Sequence, residues 1–331
     1  MAELRVAVAG GGLGGLCLAQ GLLARGVAVT VFERDPTLTA RRQGYRLHLD
    51  TRGGLALREC LPGRLFALVM ATAGHVGADG VNSVVRRQLL PQARVTDTGA
   101  RCLYGRTPLD EATVRLLPAP LRDGFMAVIG GRVGVAAGLM QFRHRPEIAA
   151  AEIAPSVQLS PALDYLMWAV SAQREQFPLA DAAMGDLDAT GLYGIAKYMT
   201  RTFHPDLRSL IGHADADETF LVRVRSAEPV PAWPAGRVTL LGDAIHAMSP
   251  ARGSGANTAL HDAATLCRAL TEQGKADTGL VAAIARYEAA MRDYGFAAVM
   301  ASREAETVNA ARGNGVLFRL ARRLPAPGRS G

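Results

Sequence analysis

Lysine is almost missing from this 331-residue chain: only Lys197 and Lys275 stand among its 37 basic residues, and the other 35 are arginine. Such an imbalance, beside 36 glycines, is what a GC-rich coding sequence produces. The formal charge of +7 is therefore no sign of a nucleic-acid surface, and no basic stretch interleaved with aromatics supports one. Aromatic residues are also scarce, at 5%. The four cysteines, Cys17, Cys60, Cys102 and Cys267, are far apart in sequence and form no CxxC pair. That excludes a zinc motif and a disulfide framework, and it fits a reducing cytosol. Long uncharged runs are lacking too. Only residues 6–24 reach the roughly 18 residues that a membrane helix requires. Six glycines and Gln20 make that run a poor span, and Arg5 alone is a poor basic flank for a secretory leader. A cytoplasmic chain with no membrane partner, no nucleic-acid partner and no metal is expected. What remains is 49% apolar and 20% charged, enough for two folded domains around real cores.

The first motif follows at once. Arg5-Val6-Ala7-Val8-Ala9 is a short apolar run suited to a buried parallel strand, and it leads directly into Gly10-Gly11-Gly12-Leu13-Gly14-Gly15, a GxGxxG turn. Leu13, Leu16, Cys17, Ala19, Leu22 and Leu23 recur at helical spacing until Arg25 and Gly26, a basic last turn with a glycine cap. A second strand, Val27 to Phe32, ends at Glu33, 23 residues after Gly10 and followed by Arg34. A dinucleotide-binding βαβ unit places its ribose-binding acid at that distance. Gly10 permits the tight turn, Gly12 lets backbone approach a pyrophosphate, and Gly15 lets helix and strand pack closely, with the helix N-terminus toward the phosphates. The unit alone does not separate FAD from NAD.

Two further motifs narrow the choice. Gly77-Ala78-Asp79-Gly80 is a turn carrying an acid, ahead of a helix that Ser83 can cap. Later, Arg237 to Leu241 reads as an apolar strand ending in Gly242-Asp243-Ala244-Ile245-His246, after which Pro250 to Asn257 opens a long helix through Leu270. Together with the N-terminal unit, these motifs resemble the FAD-dependent aromatic hydroxylases, the single-component flavoprotein monooxygenases related to para-hydroxybenzoate hydroxylase. The resemblance implies that Gly10, Gly12, Leu13 and Gly15 cradle the pyrophosphate and that Glu33 and Arg34 lie by the adenosine ribose. It puts Asp79 near the pyrophosphate, and Gly242 and Asp243 at the ribitol. Gly253, Gly255, Ala256 and Asn257 would present backbone N–H groups to the N1–C2 edge of the flavin ring, where a helix N-terminus stabilises the reduced anion. His246 is as readily a packed structural residue as a proton carrier and receives no catalytic role. Arg46, in a turn that aligns loosely with the family's flavin-side turn, meets cofactor or substrate, or is a surface arginine.

The family resemblance further implies an α/β chain: a parallel three-layer, Rossmann-like FAD domain from residues 1–97 and 236–331, with an antiparallel-sheet substrate domain inserted at 98–235. The middle segment agrees. Phe125 to Ile129 and Val133 to Met140 flank Gly130-Gly131 as a hairpin, and Asp164 to Val170 and Thr219 to Arg225 read as further strands. Met126, Met140, Met167 and Trp168 either line an aromatic pocket or form plain core. A helix is expected over Asp277 to Ala310, and a frayed tail from Arg319. The implied activity is monooxygenation of an aromatic or polyketide-like small molecule by FAD, oxygen and NADPH or NADH, through a flavin C4a-hydroperoxide. A related reductase or halogenase, or a flavin-binding relic without turnover, is the alternative, and the halogenase Trp-x-Trp signature is absent around Trp168. Oligomeric state stays open.

One departure stands out. Asp79 lies only 46 residues after Glu33. A crossover helix of about 11 residues, four strands of about 5 and connections of about 4 already exceed that interval. An internal segment is missing, with the join near Ala73 to Val76, and the expected consequences are weak FAD retention and uncoupled turnover.

Overall fold

The computed structural model describes residues 4–36, 48–72, 83–118, 121, 125–130, 132–272 and 277–311. Asp79, Arg46, the join at residues 73–76 and the tail from Arg319 lie outside the described residues. In chain order the elements begin with β1 (Arg5–Ala9), α1 (Leu13–Leu23), β2 (Ala28–Phe32), α2 (Thr51–Cys60), α3 (Gly63–Thr72) and α4 (Val84–Leu89). The middle holds β3 (Val95–Pro108), α5 (Glu111–Arg115), β4 (Phe125–Gly130), β5 (Val133–Met140), α6 (Pro146–Ile153), β6 (Tyr165–Gln173), α7 (Asp181–Gly185), α8 (Ala189–Met199), α9 (Pro205–Gly212) and β7 (Phe220–Ala227). The chain closes with α10 (Asp243–His246), α11 (Gly255–Glu272) and α12 (Asp277–Ala311). No helix among the described residues is long and apolar enough to cross a membrane. Two compact units result: residues 1–100, 142–163 and 223–308 form the first, and residues 101–141, 164–222 and 309–331 the second.

In the first unit β1 and β2 pair in parallel, Arg5 opposite Ala28 through Ala9 opposite Phe32. Val6, Val8 and Val29 face the core built by α1, α2, α11 and α12. Arg5, Ala7, Ala9, Ala28, Thr30 and Phe32 face outward and are exposed. Parallel strands are ordinarily buried on both faces, so this one-sided pair is unusual. The strand expected at Arg237 to Leu241 takes no ladder partner among the described residues. Instead, the Leu240 carbonyl accepts a 2.9 Å bond from the Tyr287 hydroxyl of α12, which satisfies the buried backbone without a neighbouring strand.

Helix packing in this unit depends on glycine. A Cβ on Gly14 would stand 2.7 Å from Leu241 Cδ1 and 3.1 Å from the Ala259 carbonyl, so the close approach of α1 to α11 there needs a glycine. At Gly21 the same approach gathers Cys17, Cys60 and Cys267, from α1, α2 and α11, into one buried group of free thiols. The sequence separates these residues widely, yet three helices that cross at a glycine bring them together. Trp233 is half-buried, with the Arg292 guanidinium of α12 5.3 Å from its ring centre.

The second unit contains most of a five-stranded sheet of order β4-β5-β6-β3-β7, antiparallel across β4-β5 and β5-β6. β6 is buried on both faces over Tyr165 to Val170. Its Leu166, Trp168 and Val170 join Leu103, Met126 and the inner faces of α8 and α9 in one core. Trp168 and Met126 are therefore core residues, and Gly105 is required because any Cβ there would sit inside the Trp168 ring. Arg101, fully buried on β3, is held by both Asp181 carboxylate oxygens at 2.5 and 2.8 Å, the paired arrangement that a buried guanidinium needs.

Candidate functional site

The N-terminal turn takes the shape its glycines allow. Gly10 lies at φ +109°, a conformation open to glycine, and its N–H donates to the Phe32 carbonyl at 2.8 Å. Gly12 caps α1 in extended geometry and its carbonyl accepts the Leu16 N–H. A Cβ on Gly15 would overlap the Gly10 carbonyl and stand 3.1 Å from Val8 Cγ1, so this glycine sets the strand-to-helix approach. Glu33 reaches back to the turn: its Oε2 accepts the Gly11 N–H at 2.6 Å and its Oε1 accepts the Asp35 N–H at 2.9 Å. The acid predicted from spacing thus stands beside the glycine turn, with Leu13 partly buried on the following helix. Arg34 is 70% exposed, with Nε 3.9 Å from Asp35.

The second half of the site is the turn before α10. Gly242 lies at φ +60° and ψ −146°, again a glycine conformation. The Asp243 side chain accepts no hydrogen bond from the described residues. Burial raises its pKa above the ordinary 3.8, the His246 charge lowers it, and Asp262 raises it further. Beyond it, Gly253 is left-handed at φ +63°, and α11 starts at Gly255, whose missing Cβ would stand 3.8 Å from Asp243 Oδ1. The Ser254 hydroxyl is buried and has no partner among the described residues. A carboxylate without a donor and a hydroxyl without a partner among the described residues therefore meet the first N–H groups of an 18-residue helix at one turn.

Asn257, the last predicted residue of this loop, has a different side-chain role. Its Oδ1 accepts the Asp50 N–H at 2.9 Å, while its Nδ2 donates to the His48 carbonyl at 2.5 Å and the Gly253 carbonyl at 3.3 Å. Fully buried, it ties the first turn of α11 to the segment that enters α2. Ala256, like Gly255, contributes backbone at the start of α11.

This turn is held by residues to which sequence reasoning assigned no role. Asp262 of α11, completely buried, accepts the Gly242 N–H and the His246 Nε2–H on Oδ2, each at 2.6 Å, and the Tyr294 hydroxyl on Oδ1 at 2.6 Å. A carboxylate oxygen bonded to a backbone donor accepts, so His246 carries its proton on Nε2. Burial disfavours charge on His246, but the Asp262 charge and hydrogen bond, with Asp243, outweigh it and lift its pKa above the ordinary 6.5. The ring fits because residue 295 is glycine; a Cβ there would lie 2.6 Å from His246 Cδ2. Arg86 of α4 donates to the Ala244 carbonyl at 3.0 Å, and Ser83 caps α4 as its position suggests. Asp262 lies inside an ordinary amphipathic helix, and no local spacing marked it.

These features suit a dinucleotide flavin: a glycine turn with an acid beside it, and a carboxylate without a donor among the described residues, a buried hydroxyl and a helix N-terminus at a second turn. The comparisons agree. The FAD binding domain family matches residues 199–302, and the NAD(P)-binding Rossmann-like domain family matches residues 8–66. A dual O-methyltransferase/FAD-dependent monooxygenase, elcB of Phaeosphaeria nodorum, is 29% identical over 373 positions that take in 80% of this chain and 40% of that protein. The aurachin C monooxygenase/isomerase of Stigmatella aurantiaca is 26% identical over 340 positions, 86% of this chain and 84% of its own. A solved Photorhabdus luminescens protein described as an FAD-containing monooxygenase superposes with TM-score 0.75 at 26% identity, covering 93% of this chain and 99% of its own. The chain spans less than half the length of the first curated relatives it matches, 40% to 44%. Both quoted alignments also run longer than the 331 residues of the chain, so these relatives carry segments that it lacks. Its glycine turn, its GD turn and its helix start in this arrangement, together with these relatives, support an FAD-dependent aromatic hydroxylase family.

Proposed function

We propose that this chain is an FAD- and NAD(P)H-dependent monooxygenase that hydroxylates an aromatic or polyketide-like small molecule. The observation that supports the reading is the Asp243 carboxylate, without a hydrogen-bond donor among the described residues, beside the start of α11 and the Ser254 hydroxyl, which has no partner among them either. Bound FAD would supply the redox chemistry, taking reducing equivalents from NADPH or NADH and activating oxygen for transfer to an electron-rich ring. The chain's own residues bind, orient and exclude water. Gly10, Gly12 and Gly15 bring backbone N–H groups and the α1 N-terminus to the pyrophosphate. Glu33 and Arg34 stand at the adenosine ribose, and Asp79 belongs near the pyrophosphate. Asp243 accepts from a ribitol hydroxyl. Gly253 to Asn257 offer backbone donors to the pyrimidine edge of the ring, where reduction places negative charge.

Residues 1–97 and 236–331 form the FAD domain in this reading, and the sheet of residues 98–235 supplies the substrate domain. The named chemistry of the relatives, among them aurachin C conversion, supports an aromatic substrate class. The test is direct. Purified protein should carry a flavin spectrum and oxidise NADPH or NADH faster when a phenol from a small screen is present. Asp243→Ala should weaken FAD by roughly 0.5–1.5 kcal/mol, the net contribution of one hydrogen bond. Unchanged FAD retention in that variant removes Asp243 from the site. A second reading, a flavin-binding relic, draws on the open outer face of β1 and β2 and on the segments that the relatives have and this chain lacks. A yellow protein inert toward NADPH and NADH would favour it.

A further inference from the structure

We infer that Asp262 is a positioning residue for the flavin site, clamping the turn that carries Asp243. This rests on the reading of Asp243 as a ribitol ligand. The evidence is where its bonds fall. A single oxygen, Oδ2, accepts the N–H of Gly242, the residue before Asp243, and the Nε2–H of His246, the last residue of α10, both at 2.6 Å. The four-residue helix Asp243–His246 is thus held at both ends by one atom. So short a helix has almost no hydrogen bonds of its own, and its caps and tertiary contacts decide whether it keeps its shape. The other oxygen, Oδ1, accepts the Tyr294 hydroxyl at 2.6 Å and makes no bond to the turn.

The carboxylate is completely buried, as is His246, so water cannot replace a bond that is lost. Gly242 adds to the demand: at φ +60° its peptide is held in a conformation that a free chain leaves readily. Gly295, by omitting a Cβ, lets His246 lie where Oδ2 reaches it. Asp243 touches the cofactor; Asp262 acts through it.

The experiment measures FAD dissociation constants by fluorescence titration of the stripped full-length chain, alongside thermal unfolding of each variant. Asp262→Leu, nearly the same shape but with no acceptor for either donor, should raise the FAD dissociation constant about tenfold, the effect expected from losing two hydrogen bonds at a buried turn. His246→Asn, whose amide is too short to reach Oδ2, should do likewise. His246→Gln, whose amide nitrogen takes the place of Nε2, should restore binding to within about twofold of wild type. Tyr294→Phe should lower the melting temperature and leave FAD affinity within about twofold, because its bond is on the oxygen that does not hold the turn. The decisive cycle pairs Asp262→Leu with Asp243→Ala: the double variant should bind FAD no more weakly than Asp243→Ala alone.

Additive losses in that cycle, or an unchanged dissociation constant in Asp262→Leu, overturn the inference while leaving Asp243 in the site. If Asp262→Leu fails to fold, the His246 pair decides, and equal binding by His246→Asn and His246→Gln overturns it. A wild-type chain that takes up no FAD, or an Asp243→Ala variant that binds it normally, overturns the flavin reading and this inference with it.

Discussion

At Gly255 a methyl group would meet Met248 Cγ at 3.6 Å and Asp243 Oδ1 at 3.8 Å, ordinary contacts in a folded protein. Gly255→Ala should therefore fold with an unchanged melting temperature, so any effect on the flavin reports the cofactor alone. Reduced, anionic flavin needs the closest approach of backbone donors, so the variant should lower the flavin midpoint potential. Normal binding with an unshifted potential would take the start of α11 away from the ring. His246 makes a second prediction. Its pKa in the folded chain is raised, so the native state keeps a proton that the unfolded chain releases near 6.5. The stability from this group is complete below about 6.5 and is lost as pH rises toward the raised value. Asp243, also raised, acts with the same sign in a window that begins at 3.8. Thermal melts of the stripped protein should show a midpoint that falls as pH rises above 6.5. The slope should flatten in His246→Gln, and an identical slope in that variant would show that His246 does not titrate there.

At the scale of elements, the pairing of β1 with α1 rests on Gly15. Gly15→Ala would push a methyl into the Gly10 carbonyl and against Val8, at a cost of roughly 1–3 kcal/mol for overpacking. Gly54→Ala, in α2 and facing open space, should instead be neutral or stabilise by up to about 1 kcal/mol. Urea midpoints that fall for Gly15→Ala and hold or rise for Gly54→Ala would confirm the contrast; equal shifts would contradict it. The β1–turn–α1–β2 unit was legible because each of its constraints is local: a short apolar run, glycines at a fixed spacing, an acid at the end of the next strand; the burial expected on both faces of β1 was not met, since Arg5, Ala7 and Ala9 are exposed. The hairpin of β4 and β5, the long α12 and the Ser83 cap were legible for the same reason. Arg237 to Leu241 was not, because an apolar run shows what is buried and not what pairs with it; Tyr287, from a distant helix, takes the carbonyl that a strand would have bonded. The thiols of Cys17, Cys60 and Cys267 and the bonds of Asp262 escaped notice because they exist only where helices cross. The glycine and GD turns of the candidate site were legible as motifs, but the network that fixes them was not.

For the molecule as a whole, the short interval after Glu33 and the exposed outer face of β1 and β2 lead to one expectation. A parallel pair open on one side lacks layers that would otherwise exclude water from its flavin. NADPH oxidation, where it occurs, should release mostly hydrogen peroxide, and dye binding should reveal an apolar surface that includes Phe32, 61% exposed. Product formed one-to-one with oxygen consumed would show that the shortened chain compensates. The placement of the two tryptophans has a spectroscopic consequence. Trp168 lies fully buried in the sheet core of the second unit, while Trp233 is half-buried in the first, under a guanidinium. Each unit thus contains a single tryptophan, one in a dry and one in a polar setting. Their emission maxima should separate, the buried indole to the blue. Replacing either tryptophan with phenylalanine then leaves a lamp in one unit alone, so denaturation of the two can be timed independently within one polypeptide.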